Sequence, residues 1–226
     1  HTALDLLFPI HCVGCGKEGD VICVSCVAEL KVLETPYCDT CAEPNINGQC
    51  QYCLEHSPSI DGIRSPYLIE GPVREAVHRL KYRGWRAAAP LLGELLASYT
   101  QQLKPPLPTS NTVVVPVPLH PHRLRSRGYN QSYLLAKEAG KLLVLPVRED
   151  LLKRVNDSSP QVEVRTREQR RSNVAGNFTS SPEASGMSII LVDDVATTGS
   201  TLLACSAALK DSGADSVWGS VLARES

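Results

Sequence analysis

The spacing of apolar residues changes character along the chain, and the changes predict its elements. Val73, Ala76, Val77 and Leu80 recur at helical intervals just after Gly71-Pro72, which predicts a helix with proline in its first turn and one buried face. The opposite face carries Arg74, Arg79, Lys81, Arg83 and Arg86. A second helix is predicted over 88–103 from Leu91, Leu92, Leu95 and Leu96, ended by Pro105, Pro106 and Pro108. Thr112-Val113-Val114-Val115-Pro116 switches to a β-branched run and predicts a strand leading into a loop, then a helix over 132–143. Ile189-Ile190-Leu191-Val192 reads as a buried parallel strand, followed by a helix with Leu202, Cys205 and Leu209 on one face, C-capped by Gly213, and a last strand over 216–223. Residues 67–69 are a further candidate strand, 57–62 a linker, and 156–161 a mobile loop after an extended stretch at 151–155. Strands alternating with helices predict an α/β domain with a parallel sheet over 58–226. Residues 1–57 follow no such period beyond a short apolar helix over 2–8 stopped by Pro9.

The chain is organised around Val192-Asp193-Asp194-Val195-Ala196-Thr197-Thr198-Gly199-Ser200-Thr201. Two carboxylates stand where the strand is expected to end, and a hydroxyl-rich turn with one glycine opens a helix. Amides of residues 198–201 at that helix start, helped by the helix dipole, suit a phosphate. Carboxylates beside them suit the hydroxyls of a sugar. A Walker loop is excluded because no G-x-x-x-x-G-K-[ST] is present, and a Rossmann turn because one glycine stands where three are needed. The stretch resembles the phosphoribosyl pyrophosphate (PRPP) motif of type I phosphoribosyltransferases. That resemblance implies PRPP contacts from Asp193 through Thr201, with Asp193 and Asp194 as the catalytic acids and Mg²⁺ accompanying PRPP.

Cysteine changes the picture of the first 57 residues. Four C-x-x-C pairs stand in tandem: Cys12/Cys15, Cys23/Cys26, Cys38/Cys41 and Cys50/Cys53. Each pair brings two thiolates onto one ion, and a tetrahedral zinc needs two pairs. Eight cysteines therefore make two structural Zn²⁺ sites. Sequential pairing gives two tandem ribbons, with an interleaved cross-brace, a disulfide framework and an iron–sulfur cluster as the alternatives. The ninth cysteine, Cys205, lies on the helix after the acid pair and reads as a small buried apolar residue.

Charge adds a second division. The whole chain carries a net −1, yet residues 1–57 hold two basic against eight acidic side chains, and residues 120–171 hold twelve Lys/Arg against six Asp/Glu. An acidic zinc module is a poor partner for nucleic acid, and structural or protein docking suits it better. The basic stretch contains a loop with Arg123, Arg125 and Arg127, then Arg165, Arg167, Arg170 and Arg171. Arg123, Arg125, Arg127, Arg167 and Arg171 are the candidates for pyrophosphate or DNA phosphate. Tyr82, Trp85 and Tyr129 are candidate stacking groups for a single strand, and His120 and His122 read as surface histidines. No apolar run reaches transmembrane length and no signal peptide opens the sequence, so the expected site of action is the cytoplasm, without membrane insertion.

Taken in order, these features resemble the ComF family of phosphoribosyltransferase-like competence proteins. The resemblance rests on the four C-x-x-C pairs, Leu80-Lys81-Tyr82-Arg83-Gly84, Val115-Pro116-Val117-Pro118-Leu119, Arg123, Arg127-Gly128-Tyr129-Asn130-Gln131, Gln161, Arg167, Arg171, Asn173-Val174, Phe178 and the PRPP motif. It implies an N-terminal double zinc ribbon (1–57) before a type I phosphoribosyltransferase fold (58–226). It also implies PRPP binding, and work in natural transformation with incoming single-stranded DNA and a ComF-type helicase. Thr197 occupies the position where six-oxopurine phosphoribosyltransferases carry a carboxylate base. The sequence therefore leaves three readings: a PRPP-fold protein that handles single-stranded DNA, an active phosphoribosyltransferase on an unidentified base or amine, and a docking subunit.

Overall fold

The architecture is that of a computed structural model, which describes residues 9–102, 111–155 and 176–225. The predicted helix over 2–8, the mobile loop at 156–161, and Gln161, Arg165, Arg167, Arg170, Arg171, Asn173 and Val174 lie outside the described residues. So do Pro105, Pro106 and Pro108.

Strands β1 (Gly62–Arg64), β2 (Tyr67–Leu68), β3 (Thr112–Pro116), β6 (Ser188–Ala196) and β7 (Ser216–Arg224) form one sheet in the order β1-β7-β6-β3, with β2 beside β7 beyond β1. Every pairing in it is parallel. A separate antiparallel pair, β4 (Leu152–Arg154) with β5 (Phe178–Ser180), forms a small flap. Helices α3 (Gly71–Tyr82), α4 (Ala89–Gln101), α5 (Pro121–Arg127), α6 (Gln131–Leu143) and α7 (Ser200–Asp211) flank the sheet. Among the described residues two further helices, α1 (Val24–Ala28) and α2 (Gln51–His56), are short and belong to the cysteine module. Among the described residues no helix is long and apolar enough to cross a membrane.

Strand residues alternate between two cores, as a sheet covered on both faces requires. Val113, Val115, Ile189, Leu191 and Val221 face one, with Leu202, Cys205 and Leu209 of α7. Val114, Ile190, Val192 and Leu222 face the other, with Val73, Ala76, Val77 and Leu80 of α3 and Leu92 and Leu96 of α4. The helical periods read in the sequence thus mark the buried faces, and Cys205 is fully buried as expected.

Three expectations are corrected. Residues 57–62 are not a free linker. Asp61 accepts from the Val217 amide at 2.6 Å and returns its own amide to the Val217 carbonyl at 3.0 Å, and Gly62 begins β1 of the main sheet. The strand expected to end at the acid pair instead runs on to Ala196, because β7 extends beside it to Arg224 and pairs Ala196 with Arg224. The arginines of 123–127 do not lie in a loop but on α5. Pro121 opens this helix, the His120 ring accepts from the His122 amide at 3.1 Å, and Gly128 at φ +77° closes it.

The cysteines gather in sequential pairs. Cys12, Cys15, Cys23 and Cys26 form one tetrad, and Cys38, Cys41, Cys50 and Cys53 the other, all ligand atoms in each lying within 4.8 Å of one another. This decides against the interleaved brace. Main-chain amides of Gly14 and Cys23 donate to Cys12 Sγ at 3.4 and 3.3 Å, and the Cys50 amide to Cys38 Sγ at 3.3 Å. An all-thiolate tetrahedron steadied by amides suits Zn²⁺. Gly14 is required for closeness: a Cβ there would lie 2.7 Å from Cys26 Sγ and 3.1 Å from Pro72.

Candidate functional site

Asp193 and Asp194 project from the end of β6, at the carboxyl edge of the parallel sheet where such folds place ligands. Asp193 Oδ1 accepts from the Ser132 hydroxyl at 2.7 Å and from the Asp194 amide at 2.9 Å. Asp194, only 2% exposed, has its Oδ1 on the Val195 amide at 2.8 Å and its Oδ2 3.0 Å from the Lys81 ammonium. One cation thus faces two adjacent acids. Burial and the neighbouring Asp194 charge push the Asp193 carboxyl up to about 7, against the pull of Ser132 and Lys81.

The turn after β6 follows the expected order. Gly199, at φ +75°, is the N-cap of α7, a left-handed position open to glycine without strain. Thr198 is buried, its hydroxyl bonded to that of Ser200, whereas Thr197 is exposed. The helix starts at Ser200.

A polar cavity of about 170 Å³ lies over the acids. Its walls include Lys81 from α3, Arg123 and Arg127 from α5, Ser132 from α6, Arg154 from β4 and Thr201 from α7. The acid pair and Val195 form its floor. Of the sequence-predicted basic residues, the fold brings Arg123 and Arg127 here. Arg125 is exposed and is not part of the lining.

Sequence reasoning did not single out Lys81, Ser132 or Arg154 as site residues. Lys81 is the penultimate residue of α3, and its only signals were a place on the basic face of that helix and in the family-like Leu80–Gly84 run. Ser132 carried no signal beyond its nearness to Asn130, whose side chain accepts from the Ser132 amide at 3.1 Å and starts α6.

Of the three candidate stacking aromatics, Tyr129 is buried and withdrawn, and Trp85 is half-buried. Tyr129 is 8% exposed, donates its hydroxyl to the Leu80 carbonyl, and has the Arg86 guanidinium 4.5 Å from its ring centre. Trp85 packs against the core and lies under Arg79 at 5.3 Å. Tyr82 alone among them is open, at 69% exposure.

The cysteine module backs this site from both sides. Cys12, Cys23 and Cys26 share a core with Val73, Val77 and Leu80 of α3, the helix that presents Lys81. Cys38, Cys41 and Cys53 share the other core with Ala196 and Leu202, which flank the turn at 197–201. Arg224, fully buried at the end of β7, donates to the Ala196 carbonyl at 2.9 Å, the Ala42 carbonyl at 3.2 Å and Glu43 at 2.6 Å. It ties the second ribbon to the strand end that carries the acids.

Sheet, turn and acid pair together define a phosphoribosyltransferase-type domain, joined to a double zinc ribbon. Comparison with known proteins agrees. The double zinc ribbon domain family matches residues 3–56, and the phosphoribosyl transferase domain family matches residues 124–225. Competence protein F of Haemophilus influenzae is 33% identical over 93% of this chain and 94% of its own length. Competence protein ComFC of Bacillus subtilis is 29% identical over 82% of this chain and 76% of its own. The DNA utilization protein YhgH of Escherichia coli K12 is 28% identical, with 87% of each chain covered. The chain belongs to the ComF family of competence proteins.

Proposed function

We propose that this protein binds PRPP with Mg²⁺ in the cavity over Asp193 and Asp194, and that it serves DNA uptake in natural transformation by handling incoming single-stranded DNA in the cytoplasm, alongside a ComF-type helicase. The observation that carries the reading is one cavity with an acid floor and cationic walls beside the turn at 197–201. Asp193 and Asp194 accept from ribose hydroxyls. Residues 198–201 hold the 5-phosphate at the start of α7, and Lys81, Arg123 and Arg127 face the pyrophosphate. Mg²⁺ would enter with PRPP, where it would neutralise phosphate charge, with Asp193 and Asp194 as the carboxylates placed to hold it or its waters. The DNA-uptake part of the proposal is supported by relatives named for competence and DNA utilization. Cytoplasmic action accords with eight thiolates held in metal-type tetrads rather than disulfides.

A second reading, transfer of ribose 5-phosphate to an unidentified base or amine, is favoured by one observation. Asp193, with its carboxyl near pH 7, meets the condition for proton transfer at neutral pH that Thr197 cannot meet.

Titration calorimetry with PRPP and Mg²⁺ tests the proposal. Asp193→Ala with Asp194→Ala abolishes measurable binding, and unchanged affinity in the double variant refutes the site. Pyrophosphate release from PRPP across a panel of bases and amines separates the second reading from the first.

A further inference from the structure

A second cavity, about 370 Å³, opens beside the acid-floored one between the end of α3 and α5. Lys81, Tyr82, Arg123 and Arg127 line both, so the two form one cleft. Its ends differ in charge. The inner end has Asp193 and Asp194 on its floor, whereas among the described residues the outer lining is Lys81, Tyr82, Gly84, Arg123, Ser126 and Arg127, without a carboxylate. Arg127 anchors the wall: it donates to Gln131 of α6 and holds its guanidinium 5.5 Å from the centre of the Tyr82 ring. His78 lies one turn back on the same helix face, 5.0 Å from Tyr82 between ring centres.

A neutral base or an amine gains little from three cations. A bare phosphate leaves the exposed tyrosine unused. The combination suits a ligand with a flat face and an anionic group attached to it, and the volume lies in the range of small-molecule sites. Resting on the PRPP reading of the inner end, we infer that the outer end is a nucleotide subsite, in which a base stacks on Tyr82 while its phosphate meets Arg123 and Arg127. The ligand is a phosphate-bearing nucleoside, either free or as a unit of a single strand. A neutral acceptor is disfavoured by the same charges. Arg123 and Arg127 serve both ends, so PRPP and the nucleotide weaken each other's binding.

The whole zinc-loaded chain is titrated with thymidine, inorganic phosphate, thymidine 5′-monophosphate and a fluorescent oligothymidylate, with PRPP and Mg²⁺ measured separately. The monophosphate is expected to bind at least 10-fold more tightly than thymidine or phosphate. Tyr82→Ala is expected to lower monophosphate and oligonucleotide affinity about 5-fold or more, in line with one lost stacking contact. Tyr82→Trp keeps that affinity, and Arg123→Gln with Arg127→Gln abolishes it. An oligonucleotide tighter than the monophosphate identifies the strand as the source of the ligand, and equal affinity identifies the free nucleotide. Thymidine binding as tightly as its monophosphate, or Tyr82→Ala without effect, overturns the subsite. PRPP binding that persists in that case leaves the inner site standing; PRPP failing to bind while the nucleotide binds refutes the inner reading instead.

Discussion

The two cysteine tetrads have the same ligands and the same kind of spacing, but the fold uses them differently. The first lies against α3 and supports the wall that presents Lys81. Cys15 is exposed there. The second is enclosed in the core beneath α7 and the end of β6, and Arg224 fastens it to Ala196. The difference teaches that a metal-stapled module need not be an appendage. With too little apolar surface for a core of its own, each ribbon completes a core of the larger domain, and through it one side of the cleft.

The sharpest test of that asymmetry is removal of one ligand from each tetrad. Cys53→Ser and Cys12→Ser are each expected to lose one of two zinc ions by metal analysis. Cys53→Ser is expected to lower the melting temperature by on the order of 10 °C or more and to abolish PRPP binding, because the lost site supplies folding energy to the main core. Cys12→Ser is expected to retain the sheet and weaken PRPP binding only through α3. Equal effects on PRPP affinity would dissolve the comparison.

Next in size is the tie itself. Arg224→Met takes the buried guanidinium from Glu43 and from the Ala42 carbonyl, while the Ala196 carbonyl keeps the Glu225 amide at 3.0 Å. The expected loss is about 3–5 kcal/mol, with a melting temperature lower by roughly 10 °C. PRPP affinity falls with both zinc ions still bound, which calorimetry and metal analysis report separately. Retained affinity would show that the second ribbon does not position the acids.

A smaller effect belongs to the cleft floor and has a definite sign. The Asp193 carboxyl is raised to about 7 in the folded chain. An ordinary unfolded aspartate titrates near 3.9, so between roughly pH 4 and 7 the folded state holds a proton that the unfolded state has released. This group therefore favours folding most below that window, and its contribution falls as pH rises through it. Asp193→Asn removes the loss. Zinc-loaded melts should show the variant gaining on the unmodified chain as pH rises from 5 to 8, and a pH-independent difference would contradict the assignment.

The smallest expected effect returns to the first ribbon. Gly14→Ala drives a methyl group against Cys26 Sγ and Pro72, at an overpacking cost of about 1–3 kcal/mol. One zinc ion should exchange faster with a chelator while the other is unaffected. Uniform exchange of both would mean that the tetrads are not independent.

Residue order alone determined what depends on neighbours in the chain. The four C-x-x-C pairs, the buried faces of α3 and α7, the β-branched strands and the turn around Gly199 follow from spacing and local backbone preference, and each is present as read, save that β6 runs past the acid pair to Ala196. The proposal of phosphate chemistry next to two acids was equally local, because strand, turn and helix are contiguous. Only the tertiary structure decided what stands opposite those acids. Lys81 and Ser132 come from helices far away in sequence, and a lysine on a basic helix face is indistinguishable from its solvated neighbours until the sheet edge is set beside it. Arg125 and Arg127, two positions apart, differ in fate because a seven-residue helix turns one into the cleft and the other to solvent. Tyr129 and Trp85 looked as available as Tyr82, but burial is a property of packing: it closed over Tyr129, half-covered Trp85 and left Tyr82 open. Arg224 reads as the end of a strand, and its partners at Ala42, Glu43 and Ala196 exist only once the ribbon has folded against the sheet.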